Sequence, residues 1–153
     1  MSRSLLNTAL VLRIFIGWHF MHEGVMKILQ PGWTSMPYLM DSQGPAAFFF
    51  RWIARNHTLL PVADVLNMVV LTAAGMLLIL GLFEKPALIG VICLLAFYYL
   101  SHPPFLNTVY AMPPEGNYLF VDKNLIELTA ALLLFHIPTG RYIGLARFFR
   151  THF

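Results

Sequence analysis

Four apolar stretches, roughly 5–29, 59–83, 87–102 and 119–137, dominate this chain of 153 residues. A membrane-crossing helix needs about 20 mainly apolar residues. Inside a bilayer only helices and closed barrels satisfy every backbone polar group. The fold class that follows is an all-α integral membrane protein, a single domain over 1–153 built as a four-transmembrane-helix bundle. Composition agrees. Hydrophobic residues make up 58% and charged residues 11%, against about 25% charged in an average soluble domain. Such a chain is neither disordered nor a typical soluble enzyme.

The stops between the stretches are legible. Pro31-Gly32 ends the first and Trp33 suits the membrane interface. Glu84-Lys85-Pro86 makes a tight turn, His102-Pro103-Pro104 ends the third stretch, and Pro138-Thr139-Gly140 ends the fourth. The first stretch lacks a small-residue cleavage site after a short apolar core, so it reads as a retained span and not a signal peptide. Between spans one and two, Ala46–Ile53 reads as a short interfacial or re-entrant helix, with Arg51 and Arg55 one turn apart. The segment from Ser101 to Tyr118 carries four prolines and reads as an ordered loop or cap. Residues 141–153 read as a basic amphipathic tail on the membrane surface.

Ten Lys and Arg against seven Asp and Glu give a net charge of +3. No basic run is long enough for a phosphate-binding stripe, so nucleic acid is not a partner. Arg3, Lys85, Arg141, Arg147 and Arg150 fall on one side of the bundle and Arg51 and Arg55 on the other. The positive-inside rule then puts both termini in the cytoplasm of a bacterial-type inner membrane. The lone cysteine, Cys93, cannot form an internal disulfide or a dithiol redox pair and reads as a small buried hydrophobe.

Ionisable residues inside spans are costly and are functional suspects by default. The first span carries Arg13, His19, His22, Glu23 and Lys27, the second Asp64 and Asn67, and the fourth begins with Asp122, Lys123, Asn124 and Glu127. At about 1.5 Å of rise per residue, Glu23 lies roughly 9 Å, Asp64 roughly 8 Å and Glu127 roughly 12 Å below the outer end of its span. His102 sits at that same end of the third. His19, Glu23 and Lys27 share one helix face, and Lys123 and Glu127 are one turn apart. Glu23–Lys27 and Lys123–Glu127 form ion pairs within their helices or exchange partners between them. Arg13 lies toward the other end, where it pairs with Glu84 or serves packing.

Two readings of this outer cluster stand side by side: a structural ion-pair network, or a site for a ligand or a proton relay. Trp18, Phe20, Tyr98, Tyr99 and Phe105 lie near it, and an apolar pocket with a few convergent polar groups suits a flat lipid-soluble ring. Gly17 and Gly24 permit close helix approach or leave space for such a ring. Haem b is a weaker alternative, with His19 or His22 and His102 as axial ligands. Zinc has no His-x-x-x-His or His-Glu-x-x-His pattern to bind.

The run Arg13-Ile14-Phe15-Ile16-Gly17-Trp18-His19-Phe20-Met21-His22-Glu23-Gly24-Val25-Met26-Lys27 resembles the opening helix of DoxX-like membrane proteins. Its Glu-Gly-x-x-Lys form is most similar to the DoxD branch, related to the membrane subunit of thiosulfate:quinone oxidoreductase. Gly81-Leu82-Phe83, Asn124-Leu125-Ile126-Glu127 and Gly140-Arg141-Tyr142-Ile143-Gly144-Leu145 also resemble the family. One departure is Ala146, where members often carry aspartate. The matching positions are Arg13, Glu23, Lys27, Asn124 and Glu127. The resemblance implies a four-helix membrane protein associated with oxidoreductases, alongside a soluble partner.

The functional expectation is a quinone-reactive membrane subunit of an oxidoreductase complex. It passes electrons from an extracytoplasmic soluble partner to the quinone pool. Glu23, Lys27 and Glu127 are the candidate catalytic residues. His19, Asp64, Asn67, His102, Lys123 and Asn124 are the candidate quinone-binding residues, and Arg13 is a structural ion-pair residue. The alternative is a non-catalytic anchor or assembly subunit that recruits a soluble protein, as a homo- or hetero-oligomer. A small-solute transporter fits less well, since paired halves and broken helices are missing from the pattern.

Overall fold

The computed structural model describes residues 2–104, 109–111, 118–137 and 139–149. Its described residues are helical almost throughout: α1 (Arg3–Leu29), α2 (Met36–Met40), α3 (Ala47–Arg55), α4 (Leu59–Leu80), α5 (Glu84–Ser101), α6 (Lys123–His136), a 3-10 turn (Thr139–Arg141) and α7 (Ala146–Phe149). Three of these, α1, α4 and α5, are long and apolar enough to cross a membrane. The fourth, α6, has 14 residues and is about 21 Å long.

Local chemistry sets the helix ends. Ser2 caps α1 by accepting the Leu5 N–H at 3.2 Å. Asn56 Oδ1 accepts the N–H groups of Thr58 (3.0 Å) and Leu59 (3.1 Å) at the start of α4. That helix stops at Leu80, not 83, because Gly81 is left-handed (φ +67) and the Leu82 N–H turns back to the Leu77 carbonyl at 3.0 Å, a Schellman closure. Helix α5 starts at Glu84, earlier than 87. Pro86 falls in its first turn, where the missing N–H has no helical acceptor to lose. Asp122 caps α6 by accepting the Leu125 N–H at 2.8 Å, so the helix begins at 123 and not 119. That capping role also buries Asp122 to 1% exposure, although its place near a helix end suggests solvation.

The four long helices pack in cyclic order: α1 against α4 and α6, and α5 against α4 and α6. Ile16, Phe20, Leu71, Leu78, Leu88, Val91, Leu95, Ala131 and Leu134 fill the centre. The outward faces are apolar too, with Phe15, Val62, Leu66, Ile89 and Leu133 all exposed. Apolar surface on that scale suits lipid and not water. Cys93 is exposed on α5 rather than buried, because Val91 and Leu95 turn the helix's other face inward. Helix α3 buries Phe50 and Ala54 against Leu39 and leaves Phe48, Phe49 and Trp52 exposed. The tail is broken into the 3-10 turn and α7, and residues 150–153 lie outside the described set.

Helices α1 and α4 make the closest contact. A Cβ added at Gly75 would meet the Gly17 carbonyl oxygen at 2.6 Å and the Met21 Cα at 2.8 Å. One added at Gly17 would meet the Gly75 carbonyl oxygen at 2.9 Å. The two backbones touch, as small residues permit in membrane bundles. Replacing Gly75 by alanine should therefore destabilise by about 1–3 kcal/mol through overpacking, outweighing a helix-propensity gain of about 1 kcal/mol. Gly90→Ala is the contrast. Its Cβ would meet the movable tip of Val70 at 3.1 Å, so thermal unfolding in detergent should show little loss for that variant and a clear loss for Gly75→Ala.

Candidate functional site

The glycine contact fixes the height of α1 against α4 and so sets which polar side chains meet. At one end of the bundle Arg13, 2% exposed, donates to Thr139 Oγ1 (3.0 Å) and the Ile143 carbonyl (2.9 Å). Glu84 accepts from the Thr139 hydroxyl at 2.6 Å and from the Gly140 N–H at 2.7 Å. Arg13 and Glu84 are thus joined through Thr139. The Leu145 N–H reaches the Leu80 carbonyl at 2.9 Å and satisfies a carbonyl left free at the end of α4. This end is a buried clasp on the tail.

At the other end lies a half-open cavity of about 410 Å³, within the size range of small-molecule sites. Helix α1 contributes His19, Phe20, Glu23 and Lys27 to its wall, α4 Asn67 and Leu71, α5 Leu95 and Tyr98, and α6 Lys123 and Asn124; His102 follows α5, and Trp33 to Tyr38 form a roof. Lys27 Nζ donates to Asn67 Oδ1 at 3.1 Å and lies 3.3 Å from Glu23 Oε1. It also sits 4.9 Å from the centroid of the Trp33 ring and 5.7 Å from that of Tyr98, within cation–π range. Asn67 in turn donates to the Tyr98 hydroxyl at 2.6 Å.

His19 Nδ1 and Glu127 Oε1 are 2.8 Å apart. Glu127 therefore stands behind His19, and its second oxygen is buried without a hydrogen-bond partner. The i, i+4 alternative of Lys123 with Glu127 gives way to this inter-helix pair. Asp64 is not part of the cavity wall. It accepts from the Ser35 N–H at 2.9 Å and from the Ser35 hydroxyl, tying the roof to α4. His22 is exposed beside Trp18, ring centroids 6.5 Å apart, and does not face the cavity.

His102 stacks on Tyr38 at 3.9 Å between ring centroids and lies 4.7 Å from Tyr110. Its Nδ1 faces Ser101 Oγ at 3.1 Å and its Nε2 faces Asp41 at 3.7 Å. Both nitrogens are turned to the protein, which suits holding the roof. Burial pushes the His102 pKa down, partly offset by Asp41. Burial likewise raises the Tyr38 phenol well above its ordinary range.

Of the aromatic residues near the cluster in sequence, Phe20 and Tyr98 line the cavity. Trp18 is 59% exposed, the Tyr99 hydroxyl donates to the Phe120 carbonyl at 2.8 Å, and Phe105 lies outside the described residues. Sequence reasoning missed Trp33 and Tyr38 as roof residues and Asp41 as the partner of His102. Proline-flanked connections carry no periodicity from which to place them.

The family model for DoxX matches residues 8–103. The chain belongs to the DoxX family. No curated protein and no solved structure matches it. The match takes in α1, α4, α5 and the roof, and so most of the cavity wall of this DoxX protein. Among the described residues no group of three or more His, Cys, Asp or Glu is placed to hold a metal ion.

The buried His102 generates a pH prediction. Its folded pKa lies below the ordinary imidazole value of about 6.5, so below that pH the unfolded chain binds a proton that the folded chain refuses. Stability is then present above about pH 6.5 and is lost as pH falls. Melting in detergent should drop between pH 7.5 and pH 5, and His102→Asn should reduce that drop.

Proposed function

We propose that this DoxX protein is a quinone-reactive membrane subunit of an oxidoreductase complex, of the DoxD type. It crosses a bacterial-type inner membrane four times, with α6 and its flanking apolar turn as the fourth span and both termini in the cytoplasm. A soluble extracytoplasmic subunit supplies the electrons. The positive charges near the Arg13 end support that orientation. Exposed Phe120, Ile126 and Leu133 support lipid around α6.

The observation that carries the reading is the cavity's chemistry. Its wall surface is mainly apolar, and the Lys27 ammonium and the His19 imidazole line it, each with a carboxylate beside it. An oxidised quinone ring is flat and lipid-soluble, and its oxygens only accept hydrogen bonds. Donors placed in an apolar pocket suit it. When bound, the quinone accepts two electrons and two protons. The chain's own part is to orient the ring under Trp33 and Tyr38, to polarise an oxygen through Lys27, and to supply protons from the groups beside it. Asn67 holds Lys27 and Tyr98 in register.

Trp33 provides the test, since quinones quench indole fluorescence on contact. With Trp18 and Trp52 replaced by phenylalanine, decylubiquinone added to the protein in nanodiscs should quench Trp33 saturably. Lys27→Met should weaken that binding by roughly tenfold. Quenching that only rises linearly with quinone would refute the site and favour the anchor reading.

A further inference from the structure

A second cavity lies at the Arg13 end of the bundle, opposite the one described above. Its volume is about 220 Å³, below the usual range for a whole cofactor and enough for a small charged group. It sits on the seam between α5 and α6, against the tail. Lys85 and Leu88 come from α5, Leu134 and Phe135 from α6, Arg141 from the 3-10 turn and Ala146 from α7.

Its uncompensated charge is of one sign. Lys85 and Arg141 both line it and are exposed. Among the described residues neither has a carboxylate within ion-pair distance. Glu84 also borders the cavity, but its oxygens accept from the Thr139 hydroxyl and the Gly140 N–H. Arg13 donates to the same Thr139, so the Glu84 charge is answered inside the clasp. Lys85 Nζ lies 5.7 Å from the centroid of the Phe135 ring, within cation–π range, which holds the ammonium over the seam. Solvated charges that merely orient the bundle need neither a cavity between them nor an aromatic ring under one of them.

The surroundings select the source of the anion. Ile89, one turn beyond Lys85 on α5, and Leu133 on α6 are both exposed. Tyr142, exposed next to Arg141, suits the membrane interface. A phosphate lodged at Lys85 and Arg141 with acyl chains attached would cover that apolar face, and a free phosphate would leave it bare. Basic pockets between membrane helices on the cytoplasmic side take acidic lipid headgroups. We infer that this cavity binds the headgroup phosphate of an anionic phospholipid between Lys85 and Arg141, with the acyl chains along Ile89 and Leu133. Lys85 belongs to α5 and Arg141 to the turn held by the clasp, so the lipid bridges the two and seats the tail.

The experiment is native mass spectrometry of the full-length protein released from nanodiscs of dioleoylphosphatidylcholine with a minor share of dioleoylphosphatidylglycerol, paired with melting in detergent. A single phosphatidylglycerol should stay on the protein, and adding that lipid, not phosphatidylcholine, should raise the melting temperature. Lys85→Gln and Arg141→Gln should each weaken retention roughly tenfold. Arg3→Gln removes a charge at the same end but outside the cavity and should leave retention unchanged. Equal retention of the two lipids by the unaltered protein overturns the site. That comparison needs no substitution, so a variant that fails to fold does not shield the proposal. An equal loss in Arg3→Gln overturns it as well, by showing a general attraction of the basic end. Inorganic phosphate that raises the melting temperature as far as phosphatidylglycerol does overturns the lipid as the occupant.

Discussion

The contact between the α1 and α4 backbones at Gly17, Gly24 and Gly75 is the constraint on which the rest depends. Lipid tails are as apolar as leucine, so helices in a bilayer gain little by hiding apolar surface from one another. Close packing and polar contacts must hold them instead. Gly75 lets the Met21 turn of α1 lie directly on α4, and at Gly24 an added Cβ would strike Thr72. That register places Lys27 opposite Asn67. With a bulkier interface the helices would stand further apart, and Lys27 would have to find another acceptor in a medium that offers few.

The two ends of the bundle use similar groups for different ends. At the Arg13 end the cation and Glu84 spend their hydrogen bonds on Thr139, Gly140 and Ile143, and glycines at 81, 140 and 144 pack the loop against them. The product is a shut clasp. At the cavity end Lys27 and His19 each keep a carboxylate at hand and still border open volume. A buried cation with its carboxylate is poor evidence for added stability.

Much of this was legible in the sequence. Depth counting and the i, i+4 spacing on α1 placed His19, Glu23 and Lys27 on one face, and the structure puts all three on the cavity wall. Arg13 was separable from them because it lies two turns deeper. The helix lengths were less legible, since apolar runs pass through caps. Leu82 and Phe83 are apolar, but left-handed Gly81 ends the helix first; Leu119 to Val121 are apolar, but Asp122 sets the start of α6. Asp64 lies off the cavity wall for a related reason. Depth alone put it with the site, whereas its Oδ1 accepts from Ser35, a residue on a connection whose path the sequence pattern does not give.

The roof sets how the polar groups of the cavity meet solvent. A donor facing water gains only a modest net hydrogen bond, because water is exchanged for ligand. Trp33, Pro37 and Tyr38 cover the cavity. Their placement rests on Asp64 gripping Ser35 and on His102 stacking under Tyr38. Beneath them Lys27 keeps Asn67 and Glu23 as partners and His19 keeps Glu127, so neither polar group is left unmet against the apolar part of the wall. Asp64 and His102 thereby set the position of the roof over Lys27 and His19.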